Sequence, residues 1–200
     1  MKRFAVCLFS LFLAVVVSSS ASAQRYDLGS DVALKVEYFH FLDKDLQDLN
    51  AENGVYIGIE AYKQLFLPNL YFGMEIGWVG TSGDVNLGNQ MTLSTDVDYV
   101  PIELNTKYVF PLSQFVNFDL GGGISMNYFD FSHKAPSLSI SENDWVVGGQ
   151  FFAGVNYTVE RYFLGAEIKY QITDNLSLGR SSTDTSPDNL RVGMQAGMKF

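Results

Sequence analysis

The sequence predicts an all-β fold, an eight-stranded antiparallel up-and-down transmembrane β-barrel. Three observations support this prediction: eight segments alternate between apolar and polar residues, short and long connections follow one another strictly, and aromatic residues gather near both ends of the apolar face. Successive side chains of a strand point to opposite faces, so a period of two indicates strands that separate two environments.

Residues 1–23 are predicted to be a cleaved signal peptide, which leaves residues 24–200 as one barrel domain. Met1-Lys2-Arg3 is cationic, an apolar run follows, and Ala21-Ser22-Ala23 is typical of a signal-peptidase site. The apolar run, from position 4 to position 17, is shorter than the roughly 20 residues that a spanning helix needs. We therefore expect export and cleavage before Gln24.

The mature chain is acidic and has no cysteine. Loss of Lys2 and Arg3 changes the formal net charge from -9 to -11, and the single cysteine, Cys7, lies in the leader. A disulfide framework or a thiolate metal site is therefore excluded after cleavage. Nucleic acid is not an expected partner, because binding a phosphate backbone requires clustered Lys and Arg. No cofactor is predicted.

Eight segments carry the alternation, and each is long enough to cross a membrane as a tilted strand. Residues of one parity are apolar in every segment, whereas the other parity holds charged, amide and glycine residues. The segments are 32–39, 55–62, 70–78, 100–110, 116–128, 145–157, 162–171 and 190–200.

The connections fall into two classes that alternate along the chain. Short, turn-like connections are residues 64–69, 111–114 and 158–161, and long polar connections, predicted as loops, are residues 42–53, 80–96, 130–144 and 173–187. A transmembrane barrel has short turns at the periplasmic end and longer loops outside. Every long connection joins an odd strand to the next even one, as that topology requires.

A soluble antiparallel barrel or sandwich in the periplasm is the competing fold. It would have to place the apolar parity of all eight strands inside one small core. Large rings of that parity instead form two groups, one near the long connections and one at the opposite ends, as expected of residues at two membrane interfaces. The groups are Trp78, Tyr128, Trp145 and Tyr170, and Tyr108, Phe110, Tyr157, Tyr162 and Phe200.

The polar parity predicts a network of charged side chains inside the barrel. Its members are Lys35, Glu37, Glu60, Glu75, Glu103, Lys107, Glu167, Lys169 and Arg191. An eight-stranded barrel is just wide enough to be filled by side chains, and unpaired buried ions cost several kcal/mol, so we expect these groups to pair. The inward glycines either make room for large inward rings or leave a cavity, and a narrow ion pathway remains the alternative.

Two internal segments and the C-terminal strand resemble a known superfamily. The last strand reads Leu190-x-Val192-x-Met194-x-Ala196-x-Met198-x-Phe200, and the internal segments are Val100-Pro101-Ile102-Glu103-Leu104 and Gly165-Ala166-Glu167-Ile168-Lys169-Tyr170. These patterns resemble the small outer-membrane β-barrels that include the OmpA membrane domain, the OmpX/Ail group and the opacity-type porins.

The resemblance implies a location in the outer membrane of a Gram-negative bacterium. It implies that Phe200 is part of the signal read by the barrel assembly machinery. The expected partners are therefore that machinery, periplasmic chaperones, outer-membrane lipids and lipopolysaccharide, and the barrel is expected to be a monomer.

The long connections are rich in Asp and Glu, but they contain no calcium-binding motif. Asp43-x-Asp45 has the spacing of the first two ligands of an EF-hand loop, whereas Gly is absent from the sixth position and Glu from the twelfth. We interpret these connections as solvated acidic loops.

The catalytic residue types are sparse. The two histidines are His40, at the outer end of the first segment, and His133, which follows Ser132 in a long connection. Neither has the surroundings of a nucleophile with its base, and no other catalytic motif is present. The sequence therefore predicts a non-enzymatic protein with a structural or surface-interaction role. A narrow channel for ions or small solutes is the alternative, followed by a lipid-modifying enzyme.

Overall fold

The structure, a computed structural model, describes residues 29–48, 50–88, 91–135, 138–178, 181–182 and 185–200. The predicted signal peptide lies outside these residues. The elements of the barrel are β1 (Ser30–Phe41), β2 (Asn53–Gln64), β3 (Leu70–Gly88), β4 (Met91–Pro111), β5 (Val116–Ala135), β6 (Leu138–Val159), β7 (Tyr162–Thr173) and β10 (Asn189–Lys199). No helix in the described part of the chain is long and apolar enough to span a membrane.

The eight strands form one closed antiparallel barrel. Each strand pairs with its neighbour in the chain, β7 pairs with β10, and β10 pairs with β1 to close the sheet. The chain ends contribute to this closure, because Ser30 and Phe200 exchange two backbone hydrogen bonds of 3.0 and 2.9 Å. The predicted fold class is confirmed.

The register of the strands sets their inclination. The pairing can be followed from Glu37 on β1 to β6 in both directions around the barrel. Through β2, β3, β4 and β5 the successive partners end at Asp144, and through β10 and β7 they end at Gly154, ten residues away on the same strand. A stagger of ten residues corresponds to about 33 Å along the strands, against about 38 Å across eight strands. The strands are therefore inclined by about 40° to the barrel axis, as in other barrels of this size.

The three short turns lie where the sequence predicts them. β2 and β3, β4 and β5, and β6 and β7 are joined by a few residues each. Asn69 and Glu160 adopt positive φ angles of 64° and 55° at two of these turns. In the third turn Ser113 Oγ accepts hydrogen bonds from the backbone N–H groups of Phe115 and Val116.

Two of the predicted loops are wrong. Residues 80–96 and 130–144 are mainly strand, because β3 and β4 continue to a hairpin at Gly88 and Met91, and β5 and β6 to one at Ala135 and Leu138. Polarity alone therefore does not identify a loop in this chain. Beyond a membrane both faces of a sheet can be hydrated, so a polar strand keeps its backbone pairing without an apolar face.

The other two long connections contain short elements. Residues 42–53 include the helix α1 (Lys44–Asp48), and residues 173–187 include the two-residue strands β8 (Ser177–Leu178) and β9 (Ser181–Ser182), which pair with each other. Both connections lie over the outer mouth of the barrel, where Leu46 of α1 and Leu176 are buried.

The two parities of the strands separate as predicted. Large apolar side chains face outward on all eight strands, including Trp78 and Trp145 towards the long connections and Tyr157 and Tyr162 towards the turns. The charged and amide residues of the other parity are buried inside.

Candidate functional site

The interior of the barrel is filled by three layers of side chains. The ion layer consists of Lys35, Glu37, Glu60, Glu75, Glu103, Lys107, Glu167, Lys169 and Arg191, each at most 6% exposed. The amide layer, on its outer side, consists of Ser125, Asn127, Gln150, Gln171 and Asn189. The aromatic plug, nearest the outside, consists of Phe39, Phe41, Val79, Val97, Tyr99, Phe129, Phe131 and Val146.

Glu75 on β3 is the centre of the ion layer. Its Oε2 atom accepts hydrogen bonds from Lys169 Nζ at 2.5 Å and from Lys35 Nζ at 3.1 Å, and its Oε1 atom accepts from Arg191 Nη1 at 3.4 Å. The three cations come from β7, β1 and β10. One carboxylate therefore ties together strands on opposite sides of the barrel.

A second carboxylate, Glu103 on β4, shares two of these cations. Arg191 Nη2 donates to its Oε1 atom, and Lys169 Nζ donates to its Oε2 atom at 2.8 Å. Arg191 thus bridges two glutamates with the two ends of one guanidinium group, a geometry that Arg favours and Lys cannot reproduce.

Lys35 and Lys107 extend the ion layer towards the periplasmic end. Lys35 Nζ lies 2.5 Å from Glu167 Oε1 and 3.3 Å from Glu60 Oε2. Lys107 Nζ has longer contacts, 3.6 Å to Asp31 Oδ2 and 3.8 Å to Asp119 Oδ2. All nine residues of the predicted interior network therefore lie in one connected cluster.

The ion layer contains five glutamates and four cations, so carboxylates are in excess. Glu37 is the least supported of them. Neither of its oxygens accepts a hydrogen bond from the described residues, and its ion pair with Lys35 Nζ spans 3.6 Å. Within the described ranges, no cluster of three or more His, Cys, Asp or Glu side chains could by itself hold a metal ion.

Inward glycines make room for inward rings. A Cβ atom on Gly77 or Gly58 would overlap the Tyr56 ring. The Tyr56 hydroxyl donates a hydrogen bond to Glu75 Oε1 at 2.5 Å, and the ring centroid lies 4.6 Å from the Arg191 guanidinium carbon. The absence of side chains at these glycines leaves the space that the Tyr56 ring occupies against the ion layer.

The amide layer is joined to the plug through Gln171. Its Oε1 atom accepts hydrogen bonds from Tyr99 at 2.5 Å and from Asn189 at 2.9 Å, and its Nε2 atom donates to Ser125 Oγ at 2.6 Å. Because Tyr99 belongs to the aromatic plug, its hydrogen bond to Gln171 joins the two layers.

The aromatic plug was missed by the sequence analysis. Phe39 and Phe41 pack edge to face with centroids 4.5 Å apart, and Tyr99 stacks on Phe129 at 4.7 Å; all four rings have no accessible surface. The parity that places Lys35 inside also places Phe39 and Phe41 inside, so the signal was present in the alternation.

Two cavities lined by described residues lie at opposite ends of the barrel. A small one of about 20 Å³ at the periplasmic end is lined by Asp31, Lys107 and Asp119. An open groove of about 520 Å³ at the outer end lies between Asn50 and the β3–β4 hairpin. In that groove Asn50 Nδ2 donates to the backbone oxygen of Asp84 at 3.3 Å.

His40 forms no catalytic arrangement with a nucleophile among the described residues. His40 Nδ1 lies 2.9 Å from Asn53 Oδ1, which also accepts a hydrogen bond from Tyr38. Ser132 and His133 are consecutive residues of β5, and the side chain of His133 lies outside the described part of the chain.

A family model for the outer membrane protein beta-barrel domain matches residues 9–200. The chain belongs to this family. Membership agrees with the resemblance deduced from the strand patterns, and it assigns the outward apolar face to the lipids of a bacterial outer membrane.

Solved outer-membrane barrels have the same fold. Neisserial surface protein A is 17% identical over 86% of this chain and 96% of its own, with a TM-score of 0.55. Ail, the attachment invasion locus protein of Yersinia pestis, is 14% identical over 86% and 98%, with a TM-score of 0.52. The N-terminal barrel of Pseudomonas aeruginosa OprF is 10% identical over 86% and 98%, with a TM-score of 0.52. No curated protein was found to match the sequence.

Proposed function

We propose that this outer-membrane barrel is a non-enzymatic anchor that presents an acidic β-sheet at the cell surface for interaction with other molecules. One observation carries the proposal: the aromatic plug closes the interior, while β3 to β6 continue beyond it. The activity is therefore assigned to the outside of the barrel and not to its lumen.

The closed interior argues against the alternative of a channel. A conducting pore has lining groups that water can reach, whereas Phe39, Phe41, Tyr99 and Phe129 have no accessible surface. The ion layer below them is equally dry at Lys35, and its charges are consumed by mutual pairing. An ion crossing the barrel would have to break both layers.

The projecting sheet supplies the interaction surface. Pairing between β2 and β3 ends at Gly80, yet β3 pairs with β4 as far as Gly88, which is about 27 Å further along the strand. We define the projecting sheet as residues 80–88, 91–98, 130–135 and 138–144, which belong to β3, β4, β5 and β6. It rises on one side of the barrel only, since β1, β2, β7 and β10 end near the rim.

The outward face of the projecting sheet carries aspartates in direct opposition. Asp98 and Asp130 are cross-strand partners, and like charges in that position destabilise a sheet unless something compensates them. Trp78 Nε1 donates to Asp98 Oδ1 at 3.0 Å, and Ser141 Oγ donates to Asp130 Oδ1 at 3.1 Å. Divalent cations bridging these carboxylates to lipopolysaccharide phosphates would provide the compensation.

The outer location and the strand order also support the remaining expected partners. Phe200 directly follows β10, the strand that closes the barrel against β1, and its backbone is hydrogen-bonded to that of Ser30. Recognition of Phe200 by the assembly machinery, escort by periplasmic chaperones and a monomeric state remain part of this proposal.

Two measurements test the proposed function. In planar lipid bilayers the folded protein should give no unitary current steps, and reproducible steps would overturn the assignment of a closed anchor. In nanodiscs with Mg²⁺, binding to immobilised lipopolysaccharide should fall several-fold for Asp98→Asn with Asp130→Asn. Asp48→Asn with Asp174→Asn, which removes the same two charges at exposed positions outside the projecting sheet, is the matched control and should bind as the wild type does.

A further inference from the structure

The turns at the periplasmic end of the barrel differ in polarity. Residues 65–69 and 112–115, which join β2 to β3 and β4 to β5, expose four large apolar side chains, whereas the β6–β7 turn contains Glu160 and Arg161. The exposed fractions are 87% for Phe66, 51% for Leu67, 64% for Leu112 and 43% for Phe115. We name these four residues the apolar turn patch.

The apolar turn patch is continuous with the lipid-facing surface. The two turns are neighbours, because the Val109 N–H donates to the Asn69 backbone oxygen at 2.9 Å. Above them, Phe72 and Phe110 face outward and are 45% and 41% exposed. Phe115 extends the same surface to β6, with its ring 6.0 Å from that of Tyr157.

The outward-facing apolar side chains form a belt around the barrel, the apolar belt, and its outer edge shows a matching asymmetry. Trp78 on β3 and Trp145 on β6 hold equivalent register positions, next to the paired residues that run from Val79 to Asp144. Because of the ten-residue stagger, paired residues lie about 3 Å further outward along the barrel axis with each strand from β3 to β6. Trp145 is three strands from Trp78 and therefore lies about 9 Å nearer the outside. The belt is thus displaced outward at β6 and towards the periplasm at β3.

We propose that the apolar turn patch is inserted into the phospholipid leaflet of the outer membrane. The barrel axis is inclined so that the β3 side is shifted outward relative to the β6 side, which brings Trp78 and Trp145 closer to one level in the membrane. Contiguous exposed apolar surface in water is unfavourable, and a lipid leaflet is the apolar phase that already contacts Phe72 and Phe110. Lys63 supports this occupant, since it is exposed, paired in register with Phe72, and long enough for its ammonium group to reach lipid phosphates.

Tryptophan fluorescence tests the position of the turn. The two native tryptophans are replaced by Trp78→Phe and Trp145→Phe, and a single tryptophan is introduced by Phe66→Trp. Arg161→Trp in the same background is the matched control, because it places the probe in the polar turn. Both variants are reconstituted in phosphatidylcholine vesicles, and the mobility of unboiled samples in electrophoresis verifies that they are folded.

The Phe66→Trp variant should lose most of its emission in vesicles of phosphatidylcholine brominated near the carbonyl end, and acrylamide should quench it weakly. The Arg161→Trp variant should show the opposite pattern. Strong acrylamide quenching of both variants would overturn the proposal, because the patch would then lie in water. Weak quenching of Phe66→Trp by both agents would also overturn it, since protein, such as a second copy, would then cover the patch.

Discussion

The ion layer and the aromatic plug close the same barrel by different physical means. In the ion layer, the charges of Glu75 and Arg191 are compensated by each other and by charged partners on other strands. In the plug, rings such as Phe39 and Phe129 are held by packing, and each neighbouring ring contributes its contact independently of the others. Both layers exclude water, but only the first depends on an exact balance of partners.

This difference predicts how each layer responds to substitution. Removal of one buried ion leaves its partners charged and unpaired, whereas removal of one ring leaves a cavity whose cost scales with its size. Restoring the balance by a second substitution should therefore rescue the ion layer and not the plug. The following predictions run from the largest expected effect to the smallest.

Arg191→Met should destabilise the barrel most. It leaves Glu75 and Glu103 without one of their shared cations, and breaking a buried pair of this kind costs about 3–5 kcal/mol. The measurement is the free energy of unfolding in urea, in detergent micelles, followed by tryptophan fluorescence. Arg191→Met with Glu103→Gln should recover part of the loss. A double variant no more stable than the single one would show that charge balance does not hold this layer together.

Phe129→Ala tests the plug and should cost about 3 kcal/mol, because the ring is fully buried between Tyr99, Phe41 and Phe131. The same unfolding measurement applies. Phe129→Leu keeps most of the volume and serves as the control, with a smaller loss. No second substitution in the ion layer should rescue Phe129→Ala, and such a rescue would contradict the separation of the two layers.

The sequence predicts the ion layer better than it predicts the contacts within it. Strict alternation places Lys35, Glu75 and Arg191 on the inner face, because a strand leaves only two directions for a side chain. Which cation meets which carboxylate depends on the closure and stagger of the barrel, and Glu75 and Arg191 lie 116 residues apart in the chain. No local pattern contains that information.

The errors of the sequence analysis have a common origin. The polarity of residues 80–96 and 130–144 predicts loops only if each strand ends with the membrane, whereas backbone pairing continues in water. The charged members of the inner parity do not reveal the plug, although Phe39 and Phe41 follow Glu37 in the same parity. In both cases the strands, with their alternating side chains, extend further along the chain than the predicted segments.

Lys107→Met should lower the free energy of unfolding less than Arg191→Met or Phe129→Ala, although it also removes a cation of the ion layer. Its contacts with Asp31, Asp119 and Glu60 are 3.6, 3.8 and 4.0 Å, and it lines the small cavity at the periplasmic end. Water entering there can hydrate the abandoned carboxylates, so the expected loss is about 1–2 kcal/mol in the same urea experiment. Lys169→Met, which removes a lysine held at 2.5 and 2.8 Å in the dry centre, is the matched comparison and should cost more. Equal losses for the two lysines would mean that solvent access does not distinguish the ends of the ion layer from its centre.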